Sequence, residues 1–225
     1  MEIPNKYRNF SSFGPYFIPL FGRMYFGRIK NIIKTVTGFN RNFPKVLDIG
    51  GGLGLFSVNF KLNFPMSSVV ILDKSLYEGI KETLTKYPTL KVTDYVKEDI
   101  QNKTSFEKES LDLIFALDIL EHVENPSIAI DEILRILKKD GLLFISVPTE
   151  SILLKIVRKI IGTIKNIQVN PHWLGRVRSE KEFFNILKSK NIKIVFKRRY
   201  PYNLLPRLFS YDIFYLIQKS GVKKT

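Results

Sequence analysis

From residue 45 onward, the chain alternates short, almost continuous apolar runs with segments of helical periodicity. Such runs are typical of strands that are buried on both faces, and the helices between them provide the cover. The pattern therefore predicts an α/β fold in which helices pack on both faces of a Rossmann-like, mostly parallel sheet. Its first five strands are predicted at residues 45–49, 68–72, 90–96, 111–117 and 142–147.

Helices are predicted at residues 53–62, 76–86 and 127–138, between these strands. In the third helix, the periodicity places Ile128, Ile130, Ile133, Leu134 and Leu137 on the inner side. Gly141 follows this helix, and we expect it to end the helix in the left-handed conformation. Further along, a helix at 180–190 precedes strands at 192–198 and 211–218, whose short connection favours an antiparallel pair at the sheet edge.

A glycine-rich loop, Asp48-Ile-Gly50-Gly51-Gly52-Leu-Gly54, joins the first strand to the first helix. Glycine lets the backbone turn tightly and lie against a ligand, because no Cβ stands in the way. A dinucleotide fingerprint, G-x-G-x-x-G, would need glycine at position 55 or 57, which are Leu55 and Ser57. The loop therefore lacks the nicotinamide-dinucleotide pattern. It is expected to bind a different ligand, and the alternative is a purely structural strand-to-helix turn that binds none.

Three more polar segments follow the second, third and fourth strands. Asp73-Lys74 ends the second strand, with Asp73 nineteen residues past Gly54, and Asp99-Ile100 follows the third, where Glu98 is a rival acid. The fourth strand runs through Leu117-Asp118 into Leu120-Glu-His-Val-Glu-Asn-Pro126. Because ligands bind at the carboxyl edge of such sheets, these segments are expected to form one site.

Together these motifs resemble class I S-adenosylmethionine (SAM) dependent methyltransferases, in particular the broad family of ubiquinone-type and small-molecule enzymes. The glycine loop resembles their motif I, and the fourth segment resembles their L-E-H-V-x-x-P sequence; the likeness is strong over residues 40–150 and looser over 179–218. It implies SAM as cofactor and a seven-stranded sheet of order 3-2-1-4-5-7-6 with an antiparallel last strand. The cofactor residues that it implies are Asp48, Gly50, Gly51, Gly52, Gly54, Asp73, Lys74, Asp99, Ile100, Leu117 and Asp118.

The two histidines of the chain, His122 and His172, are the candidates for taking a proton from the methyl acceptor. His172 lies where the family places acceptor contacts and is the better candidate, whereas His122 has packing at a turn as its alternative. Some relatives bind a divalent cation through E-x-x-E-H, but here Asp118 replaces the first glutamate, so no metal is predicted.

The positive charge of this chain is concentrated at its ends. Residues 1–45 hold eight Lys and Arg against one acid and residues 151–225 hold seventeen against three, whereas residues 46–150 hold eleven against seventeen. We expect an aromatic, basic helical extension at 1–40 and a methyltransferase domain at 41–225, with residues 150–178 as a helical lid. Residues 152–164 form a basic amphipathic pattern, typical of a lid packed over the acceptor or of a helix lying on an anionic membrane.

The acceptor is expected to be a small or lipid-linked molecule, with O-methylation favoured. The alternatives are an RNA methyltransferase that uses the basic ends to bind phosphates, and a SAM-binding protein without catalysis. The absence of cysteine excludes a disulfide scaffold and a cysteine nucleophile. The first ten residues lack a signal-peptide pattern, so a cytoplasmic protein is expected, with possible peripheral membrane contact.

Overall fold

A computed structural model describes residues 19–52, 54–75, 94–148, 180–200 and 212–219. Four helices and seven strands occupy these ranges. The helices are α1 (Pro19–Thr37), α2 (Leu55–Asn63), α3 (Pro126–Ile136) and α4 (Glu180–Lys188). The strands are β1 (Lys45–Ile49), β2 (Ser68–Asp73), β3 (Asp94–Lys97), β4 (Leu111–Leu117), β5 (Leu137–Pro148), β6 (Ile192–Tyr200) and β7 (Asp212–Lys219).

The seven strands form one sheet in the order β3-β2-β1-β4-β5-β7-β6, as predicted. β1 to β5 pair in parallel, and β7 is antiparallel to both of its neighbours, β5 and β6. The carboxyl ends of the parallel strands therefore lie along one edge. β7 also begins at this edge, because Asp212 pairs with Pro148 at the end of β5.

Alternate residues of the central strands feed two hydrophobic clusters, one on each face of the sheet. On β4, Leu113 and Phe115 belong to one cluster and Ile114 and Ala116 to the other. Because side chains alternate along a strand, this division marks the two faces. The face with Phe115 is covered by α1 and α2, and the opposite face by α3 and α4.

The predicted end of the third helix is wrong. The helix ends at Ile136, and Leu137 is already extended and pairs with Leu111, so β5 begins five residues earlier than the apolar run at 142–147. Gly141 lies inside β5 and is not left-handed. A Cβ at Gly141 would lie 2.6 Å from Leu137 Cδ1, so close packing explains this glycine.

One side of the third helix also differs from the prediction. Ile128 points outward and is 49% exposed, whereas Ile130 and Ile133 are buried as expected. The helix begins with Asn125 as its N-cap, which accepts a hydrogen bond from the Ile128 amide at 3.2 Å. Ile128 thus occupies the first turn, beyond the stripe that faces the sheet.

Several predictions fall on residues that the structure does not describe. They are the helix at 76–86, the start of the third strand at 90–93, the lid at 150–178 and the part of the N-terminal extension before residue 19. Among the residues that the structure does describe, no helix is long and apolar enough to cross a membrane.

Candidate cofactor site

The loop after β1 makes a tight turn through three left-handed glycines. Gly50, Gly52 and Gly54 have φ angles of +68°, +50° and +73°, a region that residues with a Cβ rarely adopt. The Gly50 amide donates to Leu72 O at 2.7 Å, which ties the loop to β2, and the Gly54 amide donates to Gly51 O at 2.8 Å. Gly54 is the N-cap of α2 and supplies no side-chain cap, so α2 begins directly from the loop.

Two of the glycines are required by neighbouring protein atoms. A Cβ at Gly50 would lie 2.7 Å from Ile119 Cδ1, and a Cβ at Gly51 would lie 2.6 Å from Asp48 Oδ2. By contrast, a Cβ at Gly52 would meet no atom of the described residues within 4 Å. The backbone of Gly52 therefore faces open space, as a loop that cradles a ligand requires.

Asp48 lies behind the loop, 2% exposed, and accepts a hydrogen bond from Ser57 Oγ at 2.5 Å. Burial raises the pKa of Asp48 to about 7; the Ser57 hydrogen bond opposes this rise and the charge of Asp73 adds to it. Because Ser57 lies in the first turns of α2, this contact fixes the helix start beneath the loop. The geometry places Asp48 as a support of the loop.

Asp73 ends β2 next to the open side of the loop. Its Oδ2 accepts a hydrogen bond from the Gly52 amide at 3.2 Å, and its Oδ1 accepts one from the Ser75 amide at 2.9 Å. The side chain is only partly buried. The sequence placed Asp73 and Gly52 twenty-one positions apart at one site, and the structure brings them into contact.

Lys74 and Asp99 join the ends of β2 and β3. Lys74 Nζ lies 2.8 Å from Asp99 Oδ2, and Asp99 Oδ1 also accepts a hydrogen bond from the Gln101 amide at 3.0 Å. Burial alone would raise the pKa of Asp99, but the hydrogen bonds from Lys74 and Gln101 outweigh it and lower the pKa below its usual value. Ile100, 3% exposed, packs into the core beneath this pair.

The end of β4 is held by β5. Leu117 is the last residue of β4, and Asp118 after it has a φ of +53°, an uncommon conformation for a residue with a side chain. The Asp118 amide donates to Ser146 Oγ at 3.1 Å, and Ser146 Oγ donates to Asp118 Oδ1 at 2.8 Å. Ser146, which the sequence did not indicate, thus fixes the turn that carries Asp118.

A buried arginine, which the sequence also did not indicate, lies between Asp118, Ser146 and Asp212; we call this group of residues the Asp118 corner. Arg28 of α1 donates through Nη1 to Asp118 Oδ2 and through Nη2 to Ser146 Oγ at 2.9 Å, and its Nη1 lies 3.1 Å from Asp212 Oδ2. Burial disfavours the charged guanidinium, but the carboxylates of Asp118 and Asp212 outweigh this and hold the pKa of Arg28 above its usual value. Arg28 remains charged and faces this group of acids.

Glu121 and Asp212 are the other acids at this corner, 4% and 1% exposed. Burial raises the pKa of Glu121 to about 8, with Asp118 adding to the rise and Arg28 opposing it. Burial likewise raises the pKa of Asp212 well above its usual value, with Arg28 opposing and the two other acids adding. Glu121 Oε2 and both carboxyl oxygens of Asp212 accept no hydrogen bond from the part of the chain that the structure describes.

The candidate catalytic histidines are placed differently. The side chain of His122 is 48% exposed and its Nε2 lies 4.0 Å from Glu121 Oε1, at the carboxyl edge of the sheet. His172 lies outside the described residues. Within the described ranges, no group of three or more histidine and acidic side chains could hold a metal ion.

The loop and its neighbours at this edge fit SAM. The backbone of Gly52 is bare toward open space, and the carboxylates of Asp73 and Asp99, groups to which hydroxyls and amino groups can donate, lie at the same edge. The turn at Asp118 closes the other side of the loop, because Ile119 packs against Gly50. These groups suit a nucleoside joined to an amino acid.

Comparison with known proteins agrees with this geometry. The model of a family described as a methyltransferase domain matches residues 21–199. A curated relative, the mitochondrial ubiquinone biosynthesis O-methyltransferase of Dictyostelium discoideum, is 26% identical over an alignment of 172 positions, and the alignment covers 71% of this chain and 53% of that protein. Another, the (S)-coclaurine N-methyltransferase of Papaver somniferum, is 36% identical over 106 residues, 44% of this chain and 28% of that protein.

The chain thus spans about half the length of the Dictyostelium relative. Among solved structures, the magnesium protoporphyrin IX methyltransferase of Synechocystis PCC 6803, which holds S-adenosylhomocysteine (SAH), superposes with a TM-score of 0.65. It is 15% identical, and the superposition covers 96% of this chain and 97% of that one. At this identity the likeness establishes the fold.

Proposed function

This chain belongs to the family of SAM-dependent methyltransferase domains, and we propose that it transfers the methyl group to a hydroxyl of a small organic acceptor. The observation that carries the proposal is the open, left-handed backbone at Gly52 beside the carboxylate of Asp73. The choice of a hydroxyl is supported by the Dictyostelium O-methyltransferase, whose alignment of 172 residues is longer than the 106 residues shared with the poppy N-methyltransferase.

In this proposal the residues at the carboxyl edge bind and orient the cofactor. Gly52 presents bare backbone, and Asp73 accepts hydrogen bonds from the ribose hydroxyls. Asp99 accepts a hydrogen bond from the adenine amino group, and its ion pair with Lys74 keeps the Asp99 carboxylate ionised. When bound, the cofactor supplies an activated methyl group on sulfur. The protein's share of catalysis is then alignment, since holding two reactants in line removes much of the entropic barrier.

The acceptor hydroxyl must lose a proton, and we assign this step to one of the two histidines. His122 is half exposed at the correct edge, and Glu121 beside it can orient its ring. His172 is the alternative that the family resemblance favours. His122→Gln and His172→Gln separate them, because loss of the base lowers kcat by about 10²–10⁴-fold and leaves the affinity for SAH unchanged.

The acceptor class is tested by incubating the purified protein with SAM and matched aromatic acceptors. A catechol, its aniline counterpart and a catechol carrying an isoprenoid tail would be compared by mass spectrometry of the products. We expect methylation of the catechols and none of the aniline, and a lower KM for the tailed acceptor if the natural substrate is lipid-linked. Methylation of the aniline alone would overturn the choice of a hydroxyl and support the N-methylating alternative.

Asp73→Ala tests the proposed cofactor site in the same assay. Because Asp73 is proposed to hold the ribose, the variant should bind SAH at least about ten-fold more weakly and methylate none of the acceptors efficiently. If the variant binds SAH as tightly as the parent protein, the proposed cofactor site is wrong.

A further inference from the structure

Arg28 connects four separate elements at the edge where the cofactor is proposed to bind. It extends from α1 to Asp118 after β4, to Ser146 on β5 and to Asp212 at the start of β7. Arg28 is only 9% exposed, and its guanidinium also lies over the ring of Phe214 at 5.6 Å from the centroid. A planar fork with several donors can satisfy such a set of acceptors, whereas a lysine cannot.

The contact with Asp118 matters because of the backbone at that residue. A left-handed conformation is uncommon at a residue with a side chain, although Asp tolerates it better than most, and contacts of that side chain help to hold it. Here the amide and one carboxyl oxygen of Asp118 are held by Ser146, and the other carboxyl oxygen is held by Arg28. The next residue, Ile119, packs against Gly50, so the turn supports the glycine loop.

The charges make this arrangement dependent on Arg28. Three carboxyls, those of Asp118, Glu121 and Asp212, face one guanidinium. If Arg28 is removed, these acids lose the guanidinium that faces them, and repulsion or protonation changes the position of the Asp118 side chain.

We propose that Arg28 is a positioning residue of the cofactor site: by holding Asp118 it fixes the turn after β4, so that tight cofactor binding requires α1 to be docked on the sheet. The inference rests on the proposed cofactor site. It extends that site to an element that ends before the first strand and carries none of the recognised motifs.

The test is a double-mutant cycle on SAH affinity, measured by isothermal titration calorimetry with Arg28→Met, Asp118→Asn and the combined variant. We expect each single change to weaken binding by about ten-fold and the combined change to weaken it no further, because Arg28 acts through Asp118. Losses that multiply in the combined variant would overturn the proposal, as would an Arg28→Met affinity within two-fold of the parent.

Two further variants separate positioning from general stability. Arg28→Lys keeps the charge but loses the several donors of the planar guanidinium, so it should restore part of the SAH affinity that Arg28→Met loses. If Arg28→Met does not fold, Arg28→Lys takes its place in the double-mutant cycle. Lys138→Met is the matched control, because Lys138 pairs with Asp112 at 2.6 Å at the opposite end of β4. It should leave SAH affinity unchanged, and a loss equal to that of Arg28→Met would show an effect of stability alone.

Asp73→Ala distinguishes the two levels of the proposal. If Asp73→Ala loses SAH binding while the Arg28 variants keep it, only the role of Arg28 is wrong. If Asp73→Ala also keeps it, the cofactor site itself is misplaced and the proposed role of Arg28 fails with it.

Discussion

A Cβ at Gly51 would lie 2.6 Å from Asp48 Oδ2, whereas one at Gly52 would contact nothing within 4 Å in the part of the chain that the structure describes. The same residue type thus answers two different requirements at adjacent positions. Gly51 permits the loop to pack on a buried carboxyl, and Gly52 provides a left-handed backbone that faces open space.

Substitutions at these two glycines should therefore differ in their effect on SAM binding. Gly51→Ala should lower the free energy of unfolding by about 1–3 kcal/mol through overpacking, with SAM affinity retained in the folded fraction. Gly52→Val should abolish SAM binding, because its side chain fills the space of the ligand, and it should also lower the free energy of unfolding, because a β-branched residue rarely adopts this positive φ. Urea denaturation and calorimetry check both, and SAM binding by Gly52→Val would contradict the proposed position of the cofactor.

The buried acid Glu121 should make the stability of the protein depend on pH. Its pKa rises from 4.5 in the unfolded chain to about 8 in the native state, so the unfolded state releases the proton first as pH rises. The contribution of Glu121 to the stability of the native state is therefore complete below pH 4.5, and it is lost as the pH rises to 8. Glu121→Gln should reduce the fall in unfolding free energy between pH 5 and 8 by on the order of 2 kcal/mol.

Thermal or urea denaturation at both pH values measures this difference. Asp48, whose pKa is raised to about 7, keeps its own contribution in the variant, so some pH dependence remains. Glu107→Gln changes an exposed acid and serves as the control. An unchanged pH dependence in Glu121→Gln would contradict the raised pKa.

The corner around Asp118 shows why part of the site was not predictable from the sequence. The glycine loop, Asp73 and Asp99 stand at strand ends, where a local pattern marks them. Arg28 and Asp118 are 90 positions apart, and Arg28 and Ser146 are 118 apart. One arginine among the basic residues of an amphipathic helix carries no local signal of burial, so only the packed structure identifies it.

At the scale of elements, the strand positions followed from apolar runs and the sheet order from the family resemblance, but neither gave the boundary between α3 and β5. The sequence after Ile136, Leu-Lys-Lys-Asp-Gly, is compatible with the last turn of a helix and also with an extended strand. Pairing of Leu137 with Leu111 decides for the strand, because burial of an apolar side chain outweighs a small difference in local propensity. Gly141 is then required by its contact with Leu137 instead of by a helix cap.

Helix α1 precedes every recognised motif, yet it contributes to the core on the face of the sheet that contains Phe115. Ile32 is 1% exposed and packs in this cluster. Ile32→Ala should therefore lower the free energy of unfolding by about 2–5 kcal/mol, through lost burial and the cavity left behind. Lys30→Ala, at an exposed position of the same helix, should change it by less than about 0.5 kcal/mol, and equal effects of both would contradict the docking of α1.

At the scale of the whole molecule, the net charge of +15 is unevenly distributed along the chain. The segment from 46 to 150, which contains the cofactor motifs, is acidic, and the excess of Lys and Arg lies in the two ends. Charges separated in this way suit a division between a small-molecule site and a surface that meets an anionic partner. RNA and an anionic membrane are the two partners that such ends could meet, and the apolar side of residues 152–164 favours the membrane.

We therefore expect the full chain to sediment with vesicles that contain anionic phospholipid and to remain unbound with purely zwitterionic ones. Joint replacement of Lys155, Arg158 and Lys159 by Gln should weaken vesicle binding by about 1 kcal/mol for each charge removed, since each basic residue near an anionic surface contributes about that much. The matched control replaces Lys181, Lys188 and Lys193, which are exposed on α4 and β6, and should have a smaller effect. Equal losses in both variants would show attraction by net charge alone, and steeply salt-dependent RNA binding without vesicle binding would favour RNA as the partner of the basic ends.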